Sequence, residues 1–224
     1  MALYDISLPL SDTMFHWPGT SAPSQAWVMR LDRGDVADVS EWCLGSHTGT
    51  HLDAPSHFLP GTATMDAIPA DVFVGLCEVV DVMGAGMAVG RGALEAALGD
   101  RHPRRVLLKT ANSAQPLGGA PFSEAYAGLT PDGAQFLIAH DVQLVGNDYL
   151  SVEPFASIGA GAPVHHALLA GGVSILEGIS LAAVPPGLYF LAALALRLQG
   201  SDGSPTRAVL LDVADVRHEL EPAA

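Results

Sequence analysis

Apolar and polar residues alternate over 3–8, the period of a strand with one buried face, and Pro9 followed by Ser11-Asp12 ends the alternation. Residues 13–24, with Pro18, Gly19 and Pro23, read as a loop. Strand patterns follow at 27–31 and 39–44. The run 72–82 is apolar and rich in β-branched residues, as a strand buried on both faces requires, and 106–110 and 142–146 also read as strands. Short helices fit 92–98, 131–139 with Thr130 as N-cap, and 163–170 with Pro163 in its first turn and Gly171-Gly172 at its end. Strands at 173–179, 189–196 and 207–213 complete the series. Strands outnumber helices and alternate irregularly with them, which predicts a mixed α/β fold. No repeat or low-complexity linker interrupts the chain, so 1–224 reads as a single domain with 218–224 as a loose tail.

Composition narrows the partners. The 224 residues are 49% hydrophobic and 15% charged, which provides for a substantial core. A formal charge of −14 opposes binding to nucleic acid or to an anionic membrane. No stretch approaches the roughly 20 apolar residues of a spanning helix; 187–198 is too short and Arg197 interrupts it. The N-terminus lacks the basic region and apolar run of a signal peptide. Cys43 and Cys77 are too few and too distant for a disulfide framework or a Cys-x-x-Cys site, and as reduced thiols they fit the cytoplasm.

The candidate chemistry is concentrated in one run, His47-Thr48-Gly49-Thr50-His51-Leu52-Asp53-Ala54-Pro55-Ser56-His57-Phe58, which holds three of the nine histidines and a carboxylate. Imidazole and carboxylate are the side chains that hold zinc, manganese or iron. Pro55 forbids a continuous helix, so His47 and His51 do not share a helical face. A flat strand would separate the outer ligands by roughly 3.3 Å per residue. A kink at Gly49 lets His47, His51 and Asp53 converge on one ion, while Pro55 turns the chain and re-aims His57.

A second group lies downstream. The 163–170 helix carries His165 and His166, and the strand after it carries one acid, Glu177, in apolar company. Eight helical residues advance about 12 Å and four strand residues return about 13 Å, so a strand folded back along the helix brings Glu177 level with His165. A lone buried carboxylate calls for a partner or a metal. The adjacent histidines leave the ligand open by one position.

Other readings fare less well. The segment Gly84-Ala85-Gly86-Met87-Ala88-Val89-Gly90 lies between a strand and a helix like a dinucleotide-binding turn, but the acidic residue expected about 20 positions on is missing. No Gly-x-Ser-x-Gly elbow supports a serine hydrolase. Asp148 and Ser151 could support a ligand through hydrogen bonds, although the Gly-Asn-Asp cluster reads more simply as a turn.

The pattern His47-x-Gly49-Thr50-His51-x-Asp53-Ala54-Pro55-x-His57 resembles the signature of the cyclase-like metal hydrolases, which include bacterial kynurenine formamidases, isatin hydrolases and related lactonases. Trp17-Pro18-Gly19, Leu144-Val145-Gly146-Asn147-Asp148 with Ser151, His165-x-x-Leu168-Leu169 with Glu177, Pro186-Gly187-x-Tyr189 and Pro205-x-Arg207 agree with it, from about residue 4 to about 212. The resemblance implies a swivelling β/β/α-type fold, a homodimer or homotetramer, and one or two divalent ions, zinc first and manganese second. It implies that His47, His51 and Asp53 hold a first ion, that Asp53 bridges to a second completed by His165 and Glu177, and that Glu177 can touch both. The twelve-residue spacing to Glu177 selects His165 over His166. His57 matches the proton-transferring histidine, and Trp17 a residue that faces an aromatic substrate; the alternative for Trp17 is packing at a subunit contact. The implied activity is hydrolysis of a small aromatic amide, formamide, cyclic amide or lactone, with arylformamidase activity as the first expectation and isatin hydrolysis or a lactonase as the alternative. A non-catalytic metal-binding relative is the rival from another class; retention of His57 beside the five proposed ligands argues against it.

Overall fold

The computed structural model describes residues 2–118 and 121–220. In chain order the strands and helices are β1 (Leu3–Asp5), β2 (Ser24–Met29), β3 (Val39–Cys43), β4 (His51–Asp53), β5 (Val74–Asp81), β6 (Ala88–Val89), α1 (Arg91–Leu98), β7 (Arg105–Lys109), β8 (Gly128–Leu129), α2 (Pro131–Ala139), β9 (Leu144–Asn147), α3 (Phe155–Gly159), α4 (Pro163–Ala170), β10 (Ser174–Glu177), β11 (Gly187–Ala192), β12 (Gly203–Pro205), β13 (Val209–Asp212) and α5 (Val213–Leu220). The tail expected to be loose from 218 is helical as far as Leu220, and 221–224 lie outside the described residues.

Nine strands form one sheet in the order β1-β13-β11-β5-β7-β9-β10-β4-β12. Its centre, β5-β7-β9-β10, is parallel, and both wings are antiparallel. The parallel centre follows from the crossover helices α1, α2 and α4, which cover one face. The period-2 alternation of the central strands divides them between two cores. Val80, Val106, Leu108, Val145 and Ile175 face the helices. Cys77, Val79, Leu107, Leu144 and Leu176 face the other side, where Leu52 of β4 and Leu210 of β13 join them. Residues from opposite wings therefore share one core, and the sheet curls: Ile6 N donates to Ala208 O at 3.1 Å and Ser180 N donates to Ile6 O at 2.8 Å.

Two expectations are modified. The strands at 27–31 and 39–44 exist, as β2 and β3, but pair only with each other in a ribbon whose Trp27, Val28, Val39 and Trp42 are exposed. Thr130 sits at the N-cap of α2, yet its hydroxyl donates to the Asp132 carboxylate and to Val89 O rather than capping the helix amides.

Candidate metal centre

The segment 47–57 bends where its glycine sits. Gly49 has φ +65, a left-handed conformation that suits glycine, and a Cβ there would lie 2.8 Å from the Leu10 side chain. The chain then enters β4, which is only three residues long and buried throughout. His51 and Asp53 project from the same side of β4. The antiparallel register sets Glu177 opposite His51 and Ile175 opposite Asp53. This places Glu177 on the same face as His51 and Asp53, towards α4, whose His165 completes the group. The register between β4 and β10 requires Gly178: at φ +69, its Cβ would fall 2.2 Å from Gly49 O.

All five proposed ligands converge. His47 Nδ1 lies 2.8 Å and His51 Nε2 3.4 Å from Asp53 Oδ1. Glu177 Oε2 lies 3.3 Å from His51 Nε2, and Glu177 Oε1 3.1 Å from His165 Nε2. The ligand atoms of His47, His51 and Asp53 fall within 4.8 Å of one another, as do those of Asp53, His165 and Glu177, so the two triads share Asp53. His166, the other candidate on α4, is not in either triad.

Burial opposes a positive charge on His51, but Asp53 and Glu177 push its pKa up to about 10. Burial likewise opposes the charge on His165, and Glu153 and Glu177 push it up to about 10. Burial also works against ionised Asp53, yet the His47 and His51 imidazoles hold its carboxyl well below the usual carboxylate range. Protons on these imidazoles and a bound cation are alternative ways to neutralise the same two carboxylates.

The donor set fits a divalent ion. Among the described residues Asp53 Oδ2 is buried without a hydrogen-bond partner and lies 3.9 Å from His165 Nε2. A buried acceptor left unmade costs about 1–3 kcal/mol, more for a charged group, and a cation bound at this oxygen would remove that cost. The remaining ring nitrogens are tied down as metal-ligand histidines usually are. His51 Nδ1 donates to Gly49 O at 2.9 Å, His165 Nδ1 to the buried Glu153, and His47 Nε2 lies 3.0 Å from Asp202 Oδ2.

Glu153 and Asp202 are the functional residues that sequence reasoning missed. Both are acids in loops, where no periodicity sets them apart. Gly146 and Asn147 end β9, and Asp148 lies in the bend after it, as the turn reading has it. Asp148 accepts from Thr110 N at 2.9 Å, Thr110 Oγ1 at 2.6 Å and Asn112 Nδ2 at 3.2 Å, locking together the segments after β7 and β9. The stretch that follows supplies Val152 N, which donates to Glu177 Oε1 at 2.6 Å, and Glu153 itself. Asp148 braces this scaffold without being seen on a ligand, and Ser151 lines the cavity described next.

A cavity of about 210 Å³ opens onto His47, His51, His57, His165 and Glu177. Trp17, Phe58, Leu150 and Ile158 form its apolar walls. Trp17 lines this chain's own cavity and is held edge-on by Phe122, 5.3 Å between ring centroids, with Phe155 tilted against it at the same distance. His57, at the end of the 3₁₀ turn Pro55–His57, stacks on His47 with centroids 3.8 Å apart. Burial favours its neutral imidazole and lowers its pKa, against the Asp53 charge, which favours the protonated ring. The dinucleotide reading fails structurally as well: Asp132 Oδ2 accepts from Arg91 N at 3.0 Å and puts a carboxylate where a pyrophosphate would sit.

Three imidazoles and two carboxylates converging from a turn, a strand pair and a helix, beside a half-buried histidine and an apolar cavity, define a metal centre of the hydrolytic class. The Cyclase family model matches residues 4–154, and the chain belongs to that family. It is 39% identical over 219 residues to a kynurenine formamidase of Salinibacter ruber (strain DSM 13855 / M31), covering 96% of this chain and 100% of that one. The solved structure of a predicted metal-dependent hydrolase from Bacillus stearothermophilus matches with a TM-score of 0.79 at 30% identity, over 93% of this chain and 97% of that one. Isatin hydrolase A from Ralstonia solanacearum has the same fold, with a TM-score of 0.81 at 23% identity over 94% and 92% of the two chains. The mixed α/β architecture expected from the sequence is the one these proteins share. Among the described residues no helix is long and apolar enough to cross a membrane.

Proposed function

We propose that this protein is a metal-dependent hydrolase that splits the C–N bond of a small aromatic amide, with an aryl formamide of the formylkynurenine type as its first substrate. The observation that carries this reading is the pair of triads joined at Asp53, whose inner oxygen has no hydrogen-bond partner among the described residues. His47, His51 and Asp53 would hold one divalent ion, and Asp53, His165 and Glu177 a second, zinc before manganese, since three of the five side chains are imidazoles. When bound, such ions make water acidic enough to attack a carbonyl near neutral pH and draw electrons from the carbonyl oxygen.

The chain's own residues do the rest. Trp17, Phe58, Leu150 and Ile158 hold an aromatic ring and exclude bulk water. His57 is neutral near pH 7, so it accepts the proton of the attacking water and returns it to the leaving nitrogen. The O–C bond forms and the C–N bond breaks with no other co-reactant. Transfer of this kind contributes about 10²–10⁴-fold. A cyclic amide or lactone would meet the same groups, which keeps isatin-type substrates as the second reading. The two unpaired cysteines support a cytoplasmic location. A homodimer or homotetramer would cover the apolar faces of the β2–β3 ribbon, since an isolated two-stranded ribbon is marginal in water.

The test is to strip the protein with chelator, reload it with zinc or manganese, and follow N-formylkynurenine, isatin and an aromatic lactone by absorbance. Turnover of the formamide that is lost with chelator and restored by metal is expected. No turnover of any of the three at full metal loading would favour a non-catalytic metal-binding protein.

A further inference from the structure

Asp202 stands outside every motif of the metal centre, on the loop that leads into edge strand β12. Three contacts fix it there. Its Oδ1 accepts from Ser46 Oγ at 2.9 Å, its backbone carbonyl accepts from Ala54 N at 2.9 Å, and the neighbouring Gly203 pairs in register with Asp53. Gly203 has to be glycine for the His47 ring to lie where it does, since a Cβ there would approach His47 Cε1 to 2.6 Å. With the loop so anchored, a single oxygen, Asp202 Oδ2, reaches both stacked imidazoles: His47 Nε2 at 3.0 Å and His57 Nδ1 at 3.4 Å.

An ionised carboxylate accepts hydrogen bonds and donates none, so His47 Nε2, hydrogen-bonded to it, carries a hydrogen; His57 Nδ1 makes no hydrogen bond to it but lies within reach of its charge, which favours a hydrogen on that side of the ring. In a neutral imidazole the lone pair is then on the opposite nitrogen. For His47 that is Nδ1, which lies 2.8 Å from Asp53 Oδ1, so a bound cation would take the place of the hydrogen that otherwise joins this ring to the carboxylate. For His57 it is Nε2. We propose that Asp202 is a positioning residue that selects the tautomers of His47 and His57 together, so that one presents its lone pair to the metal site and the other to the reacting water. His51 and His165 obtain the same service from Gly49 O and Glu153, each acting on one ring. Asp202 differs in acting on two, one a ligand and the other the proton carrier. This inference rests on the reading of the site as a hydrolytic metal centre.

The test uses the full chain with Asp202→Ala, Asp202→Glu and, as a control on the brace, Ser46→Ala. Zinc affinity is measured first, by competition with a chromophoric chelator and with no substrate present. Losing an outer hydrogen-bond partner of a metal ligand typically weakens the metal about 10–100-fold. Asp202→Ala should weaken one zinc equivalent by that factor and leave the other near its wild-type affinity. At saturating zinc, its kcat should fall about 10–100-fold while KM stays within about twofold, and Asp202→Glu should recover part of both losses. Ser46→Ala should lie between wild type and Asp202→Ala. Wild-type zinc affinity in a folded Asp202→Ala protein overturns the proposal, whatever its activity; so does a kcat loss matched by a rising KM. If wild-type protein turns over none of the substrates, the hydrolase reading fails, and the zinc titration still decides the role of Asp202 towards His47.

Discussion

Replacing Glu153 by alanine should destabilise the protein more than any other single change near the site, because one buried carboxylate meets four donors. Oε2 accepts from Val164 N at 3.3 Å and Ser157 Oγ at 2.9 Å. Oε1 accepts from His165 N at 3.3 Å and from the His165 ring. Pro163 starts α4, so the two amides belong to its first turn, and the charge also favours the helix dipole. Ser157 has an alternative acceptor in Pro154 O at 2.7 Å. The other three donors have none and are left inside the fold. Each stranded donor costs about 1–3 kcal/mol, and breaking a buried ion pair on one side costs about 3–5 kcal/mol in all. Taking about 3–5 kcal/mol, at about 2–4 °C per kcal/mol for a chain of this size, the loss in Tm should be about 6–20 °C. Glu153→Gln keeps one acceptor oxygen, for His165 N and its ring, but turns its NH2 towards Val164 N; it strands that one amide and forfeits the charge-assisted part of the bonds it keeps, about half of each, so its loss should still be smaller than that of alanine. Urea unfolding of chelator-treated wild type and both variants, followed by circular dichroism, measures the difference. An alanine variant within 1 kcal/mol of wild type, or a glutamine variant as unstable as alanine, would refute the reasoning.

Three further outcomes follow from the same geometry. His57→Ala should keep its metal by mass spectrometry and lose about 10²–10⁴-fold in kcat, as expected for a group that moves a proton; near-normal rates would remove His57 from the reaction. Asp53→Ala should lose metal from both triads, because both depend on that carboxylate; full metal content would contradict the shared-ligand geometry. Chelator-treated protein should become less stable as pH rises. His51 and His165 are raised from 6.5 to about 10 in the fold, so the stability they contribute is complete below about 6.5 and is lost towards about 10. Its Tm should therefore be lower at pH 9.5 than at pH 6.5, and a flat or rising Tm over that window would show that these imidazoles are not held protonated.

The parts of the site that were legible from sequence are those where local chemistry and local geometry coincide. His47, His51, Asp53 and His57 share one short run whose Gly and Pro could only bend it, and the bend falls at Gly49 as the residue types required. His165 and Glu177 were reachable because a helix and a strand of known rise per residue connect them, and the 3.1 Å between their side chains is the product of that arithmetic. The strands were legible as periods, but their order in the sheet was not. The parallel centre could be inferred from crossover helices, whereas β12 beside β4 joins residues about 150 positions apart by a pairing that no local pattern encodes. The exposure of the β2–β3 ribbon was hidden for a related reason: apolar residues such as Trp27 and Trp42 mark a strand without saying what covers it.

The illegible residues divide along the same physical line and bear on how the centre works. Four of the five proposed metal ligands, His51, Asp53, His165 and Glu177, lie on a buried strand or helix, and His47 lies in the turn that leads into β4. The acids that finish the hydrogen bonding of those ligands, Glu153 and Asp202, come instead from loops, brought in by the chain after β9 and by the edge of the antiparallel wing. A buried strand fixes where a side chain starts, but an imidazole still has two nitrogens and can rotate, and only an outer acceptor decides which nitrogen is available. The core therefore sets the positions of the donors, and the loops set their protonation. This separation predicts that mutations in the 200–202 and 151–153 loops will alter metal affinity and turnover more than they alter the fold, except at Glu153, where the same oxygen atoms also hold the first turn of α4.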